Sequence, residues 1–164
     1  MPHWPPPQAV LRAFALPGAT FGRWLPPCYS SGAVTGTDEA MPRILVIDDE
    51  QGVRELLRDI LERAGYEVTD APDGHAGIAL HQQHPADLIV TDMIMPGQEG
   101  IETILQLRRE FPSVKILAMS GGGHSGNLQP LRDAMRLGAA GTISKPFRPR
   151  EILAAVREVL AQEG

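Results

Sequence analysis

Four charged side chains and one hydroxyl in this 164-residue chain follow directly on apolar runs. Asp48-Asp49 follows Ile44-Leu45-Val46-Ile47, Asp92 follows Leu88-Ile89-Val90-Thr91, Lys145 follows Thr142-Ile143-Ser144, and Ser120 follows Val114 to Met119. If those runs are strands of one parallel sheet, the five groups meet at its carboxyl edge, where open α/β sheets hold their ligands. Carboxylates gathered there repel one another and raise some of their pKa values unless a cation sits among them. Acidic oxygens, a backbone carbonyl and water suit Mg²⁺, which prefers sites completed by a phosphate oxygen. With no His or Cys at these strand ends, Zn²⁺ is the poorer candidate. A carboxylate beside Mg²⁺ can attack a phosphoryl donor while a lysine and a hydroxyl stabilise charge on the transferred oxygens, giving an acyl phosphate.

Parallel strands need crossover segments between them, and the intervening sequence supplies helical patterns. Val53, Leu56, Leu57, Ile60, Leu61 and Ala64 recur at three-and-four spacing, with Gly65 as the stop signal. Tyr66 to Thr69 reads as a short second strand. Asp73-Gly74 turns into a second helix with Ala76, Ala79 and Leu80 that ends before Pro85. The third strand spans Asp87 to Thr91, and Pro96-Gly97 breaks the chain ahead of a third helix with Ile101, Ile104 and Leu105 inward. The fourth strand enters a loop, Gly121-Gly122-Gly123-His124-Ser125-Gly126, whose glycines predict mobility and close backbone approach. A fourth helix uses Leu128, Leu131 and Met135 and stops at Gly138, the fifth strand spans Gly141 to Ser144, and a last helix turns Ile152, Leu153, Val156, Val159 and Leu160 to one face. Five strand-helix units thus fill residues 42–164, and no effector domain is expected within the chain.

Residues 1–41 have a different character. Seven prolines, Trp4, Trp24 and several glycines occur there without a sustained period, so the expectation is a disordered leader or a misassigned start, Met41-Pro42-Arg43 itself being a possible beginning. The alternative is a docking arm anchored by Trp4, Phe14, Phe21 and Trp24. A formal net charge of -5 argues against direct nucleic-acid binding. The single cysteine, Cys28, has no internal disulfide partner. No apolar run reaches the roughly 18 residues of a membrane span, and the early sequence lacks the charge pattern of a signal peptide. A cytoplasmic protein is expected.

The order Asp48-Asp49, Asp92, Ser120, Lys145-Pro146-Phe147 resembles the receiver domain of bacterial two-component response regulators over about residues 43–161. That resemblance implies a flavodoxin-like five-stranded parallel sheet of order 2-1-3-4-5 with helices on both faces. It implies Asp92 as phosphoacceptor, charged by a histidine kinase or histidine phosphotransfer protein, and Mg²⁺ held by Asp49, Asp92 and the backbone carbonyl of Ile94, with Asp48 helping through water. It further implies Ser120 and Lys145 on the phosphoryl oxygens, room for them beside Gly121, a cis Lys145-Pro146 bond, and no enzymatic activity beyond the domain's own phosphoryl transfer and hydrolysis. The function expected is that of a stand-alone receiver signalling through protein contacts, with a phosphate-independent scaffold as alternative. Thr142 departs from the pattern, standing where receivers usually carry a Tyr or Phe that swings inward on activation. Output would then run through Ser120, the glycine loop and the fourth helix.

Other chemistries fit less well. Haloacid-dehalogenase-like phosphatases carry Asp-x-Asp after the first strand, a spacing Asp48-Asp49 lacks. A flavodoxin-type flavin carrier wants a Ser/Thr-rich phosphate loop where Asp48-Asp49-Glu50 would repel the ligand. The triple glycine has no Lys-Ser/Thr ending of a nucleotide-binding loop. His81 and His84, three apart, lack a nearby third ligand and read as solvated. Arg132 and Arg136, one helical turn apart, read as a wet face or as part of an output surface.

Overall fold

The computed structural model describes residues 41–95, 100–121 and 128–162. The N-terminal extension, the break at Pro96-Gly97 and the loop from Gly122 to Gly126 lie outside the described residues. Strands and helices alternate throughout: β1 (Arg43–Ile47), α1 (Gln51–Arg63), β2 (Glu67–Ala71), α2 (Gly74–Gln83), β3 (Leu88–Asp92), α3 (Gly100–Glu110), β4 (Lys115–Gly121), α4 (Gln129–Arg136), β5 (Gly141–Lys145) and α5 (Pro149–Ala161). The strands form one parallel sheet of order β2-β1-β3-β4-β5, as expected from the sequence.

The period-2 alternation of strand side chains divides the core in two. Leu45, Ile47, Ile89, Ile116 and Ala118 face α2, α3 and α4, where Ile78, Ile104, Leu107, Leu131 and Ala134 meet them. Ile44, Val46, Leu88, Val90, Leu117 and Met119 face α1 and α5, against Leu57, Leu61, Ile152, Val156 and Val159. Covering both faces explains why the central strands are apolar at nearly every position. Each fully buried Leu or Ile contributes about 1.5–3 kcal/mol relative to an exposed one. These layers hold the strand ends in fixed register.

The helix stripes are narrower than the apolar periodicity suggests. Leu56, Leu105, Leu128 and Met135, all expected inward, are about half exposed, and Ala64 and Ala79 are exposed. A helix against a flat sheet buries a stripe only about 100° wide, and these residues sit on its flanks or, for Leu128, before the helix begins. The second strand starts later than expected, at Glu67 rather than Tyr66, and runs on to Ala71. Gly65 and Gly138 take positive φ, 91° and 101°, the left-handed backbone that glycine accepts at a helix end.

His81 is buried, correcting the expectation of a solvated ring. Its Nδ1 accepts the Ala86 N–H at 3.1 Å, and its ring meets Phe111 edge-on with centroids 4.6 Å apart. His84, by contrast, is exposed. The pair therefore points to different environments, and among the described residues the one potential metal-holding group of carboxylates and imidazoles is Asp48, Asp49 and Asp92.

Candidate functional site

The two strand-end acids are set by the same local device. Asp48 Oδ1 accepts the Glu50 N–H at 2.9 Å and Asp92 Oδ1 accepts the Ile94 N–H at 3.3 Å, each an aspartate bonding to the amide two residues on as the chain leaves a strand. The Asp48 amide is tied to β2 through the Ala71 carbonyl at 3.2 Å. Beyond Asp92, the Met93 N–H reaches the Met119 carbonyl at 2.8 Å, extending the β3–β4 ladder by one bond. Both side chains are buried.

Lys145, at the end of β5, joins them. Its Nζ donates to Asp48 Oδ2 at 2.7 Å and to Asp92 Oδ2 at 2.9 Å. Burial pushes the Asp48 carboxyl above its ordinary pKa, with the Asp92 charge adding to the rise and the Lys145 ammonium working against it. Burial alone would lower the Lys145 pKa, but its bonds to Asp48 and Asp92 outweigh that and raise it. The ammonium stays charged between its two carboxylates. The Lys145-Pro146 peptide is cis. Gly121 lies opposite Lys145 in the β4–β5 register, and among the described residues a Cβ there would meet only Lys145 Cβ, at 3.9 Å.

Ser120 also reaches this edge, at the penultimate position of β4. Its Oγ is buried and makes no hydrogen bond among the described residues. An unsatisfied buried hydroxyl costs about 1–3 kcal/mol, so such a group calls for an explanation. Thr142 is partly buried and pairs in register with Ala118.

The acids fit a hard cation. Asp48, Asp49 and Asp92 each present a carboxylate oxygen within 4.8 Å of the others, and the exposed Asp49 carboxylate has no hydrogen-bond or ion-pair partner among the described residues. An all-oxygen set of this kind suits Mg²⁺. The structure therefore brings together Asp48, Asp49, Asp92 and Lys145 as expected, places Ser120 at the same edge, and puts Ile94 two residues beyond Asp92 in the following loop.

Two supporting residues were not anticipated. Arg54, in the first turn of α1, donates through Nη1 to the carbonyls of Asp48 at 2.7 Å and Asp49 at 3.1 Å, and through Nε to Asp70 Oδ2 at 3.0 Å. Asp70 also pairs with Arg58. Gly100, the first residue of α3, packs so closely under the site that a Cβ would collide with the Asp92 carbonyl oxygen and Met93 Cα. The only sequence signal for Gly100 was its position at the start of an apolar helical pattern, and for Arg54 its closeness to the acid pair.

Comparison with known proteins agrees with this geometry. Residues 44–157 match the family model of the response regulator receiver domain, and the chain belongs to that family. It is 36% identical over 118 residues to the transcriptional regulatory protein ResD of Bacillus subtilis, covering 72% of this chain and 48% of ResD. Against the chemotaxis protein CheY of Thermotoga maritima it is 31% identical over 118 residues, covering 71% of this chain and 96% of that protein. Thus the chain matches about half the length of ResD and of similar transcriptional regulators, but nearly all of CheY. The structure of Vibrio cholerae CheY4 superposes with a TM-score of 0.67 at 30% identity, covering 73% of this chain and 99% of that one. Among the described residues no helix is long and apolar enough to cross a membrane.

Proposed function

We propose that this receiver domain accepts a phosphoryl group on Asp92 from a phosphohistidine of a histidine kinase or histidine phosphotransfer protein, with Mg²⁺ as cofactor, and passes the signal on through protein–protein contacts. The observation that carries this reading is the Lys145 ammonium held between Asp48 and Asp92, at the sheet edge where Ser120 carries a buried hydroxyl with no partner among the described residues. Asp48, Asp49, Asp92 and the Ile94 backbone carbonyl would hold the cation, which supplies charge neutralisation for the incoming phosphoryl oxygens.

One Asp92 carboxylate oxygen attacks phosphorus, an O–P bond forms, the donor's N–P bond breaks, and its electron pair stays on the imidazole nitrogen. Asp92 loses its negative charge at the attacking oxygen, so its hold on Lys145 weakens. The ammonium, still anchored by Asp48, is then free to pair with a phosphoryl oxygen. Ser120 gains an acceptor for its idle hydroxyl, which replaces an unsatisfied group with a charge-assisted hydrogen bond. These two rearrangements favour the phosphorylated state from within the site. Because Thr142 offers no aromatic ring, coupling to the surface runs from Ser120 toward α4.

Intact-protein mass spectrometry with acetyl phosphate and Mg²⁺ tests the reading. A gain of one phosphoryl group that requires Mg²⁺ and disappears in Asp92→Ala is the expected result. Unmodified wild type with several small donors and saturating Mg²⁺ would leave a phosphate-independent scaffold as the better account.

A further inference from the structure

Asp49 differs from its neighbour in how it is held. Asp48 is fixed by Glu50 and Lys145, whereas the Asp49 carboxylate touches no donor among the described residues. The peptide planes on either side of it therefore fix its Cα–Cβ bond, and with it the set of directions its rotamers can take. Those planes carry the carbonyls of Asp48 and Asp49, and both carbonyls accept from the same Arg54 Nη1. The guanidinium is itself oriented: its Nε is held by Asp70 on β2, and Asp70 is further tied by Arg58. Arg54 is largely buried, with a side-chain exposure of 14%. A planar fork that bonds in two directions at once is a property of arginine that lysine lacks.

We propose that Arg54 is the positioning residue of the acid pair, locking both peptide planes and so aiming the Asp49 carboxylate at the cation from a base on β2. Its charge sits behind the loop, on the carbonyl side, where Asp70 offsets it, so the cation does not face an uncompensated positive neighbour. Groups that orient metal ligands without touching the metal typically change its affinity by about 10–100-fold when removed. This inference rests on the Mg²⁺ reading given above.

The test is calorimetric titration of the full chain with Mg²⁺, with the thermal unfolding midpoint of each variant measured separately in its absence. Wild type binds, and Asp49→Asn, the reference for a lost ligand, does not. Arg54→Met is expected to bind on the order of 10-fold more weakly. Arg54→Lys, whose single ammonium can donate to the carbonyls but cannot hold Asp70 at the same time through a second nitrogen, falls between Arg54→Met and wild type. Asp70→Asn, which leaves the carbonyl bonds but loosens their base, weakens binding less than Arg54→Met. A brace that served stability alone would lower the unfolding midpoint and leave the affinity of the folded protein unchanged, and that result overturns the proposal. If Arg54→Met does not fold, Arg54→Lys and Asp70→Asn decide by the same criterion. Failure of wild type to bind Mg²⁺ overturns the metal reading as a whole, whereas binding that is lost in Asp49→Asn and unaltered in the Arg54 variants overturns only the role of Arg54.

Discussion

Lys145 and Asp48 are 97 residues apart in sequence and come from strands with two others between them, yet their Nζ and Oδ2 atoms lie 2.7 Å apart. The lysine is thus the internal counter-ion of a carboxylate cluster that a divalent cation would also neutralise. Both cations bind the same charge, one permanently and one reversibly. Their energetics are coupled, because each reduces the repulsion that the other is needed to relieve.

That coupling predicts the behaviour of Lys145→Met. Without Mg²⁺ the variant leaves Asp48 and Asp92 buried with no ammonium, and urea unfolding at pH 7 should show a loss of about 3–5 kcal/mol. Added Mg²⁺ should stabilise the variant more than wild type, and calorimetry should show tighter Mg²⁺ binding. Phosphorylation by acetyl phosphate should nonetheless be lost or slowed by on the order of 100-fold, since the group that stabilises the transferred oxygens is gone. Equal Mg²⁺ stabilisation in both proteins would contradict the shared-charge account.

Ser120→Ala separates the resting protein from its chemistry. The hydroxyl is buried without a partner among the described residues, so removing it should leave stability unchanged or raise it by up to about 1 kcal/mol. The rate of Mg²⁺-dependent phosphorylation should fall on the order of 100-fold, as expected when one donor to the transferred oxygens is missing. Parallel denaturation and acetyl phosphate time courses check the two halves. A clear loss of stability would mean that the hydroxyl has a partner in the resting state.

Much of this was legible in the sequence, for a physical reason. Strands buried on both faces must be almost wholly apolar, so the charged residues that end β1, β3 and β5 stand out sharply and locate the sheet edge. The gathering of Asp48, Asp92 and Lys145 follows once those strands are parallel. What escaped the sequence depends on register and close approach between distant segments. Arg54 matters because Asp70, 16 residues on, is carried beside β1 by the β1–β2 pairing. Gly100 matters because α3 starts directly beneath Asp92. Leu56, Leu105 and Met135 satisfy the helical period but lie at the margin of the buried stripe, which periodicity alone does not locate to within one residue.

His81 provides a pH dependence with a definite sign. Burial lowers its pKa below the ordinary histidine value of 6.5, and Nδ1 is occupied as an acceptor, so the folded protein favours the neutral ring. The unfolded chain binds a proton more readily, and stability therefore rises with pH where the two states differ. His81 contributes its full stability above pH 6.5, and the contribution is lost as pH falls from there through the lower folded pKa. Urea midpoints measured between pH 8 and pH 5 should decline more steeply in wild type than in His81→Gln. The variant should be less stable at pH 8, having lost the edge contact with Phe111. Parallel pH curves for the two proteins would rule His81 out as the source of the slope.

Gly100→Ala tests whether the floor of the site is set by helix packing. The added methyl would lie inside van der Waals contact of the Asp92 carbonyl oxygen and Met93 Cα, which are backbone atoms with no rotamer to yield. Gly100 is the first residue of α3, where the interior preference for alanine over glycine, about 1 kcal/mol, is not felt in full, so propensity offers little to offset the clash. Overpacking at a rigid contact costs about 1–3 kcal/mol, and here the strain falls on the strand end that carries Asp92. The expected outcome is a net loss of stability in thermal unfolding, together with weaker Mg²⁺ binding and slower phosphorylation, because α3 must retreat or Asp92 must shift. A Gly100→Ala protein that gained stability and kept its Mg²⁺ affinity would show that α3 can move away from β3 without disturbing the acids above it.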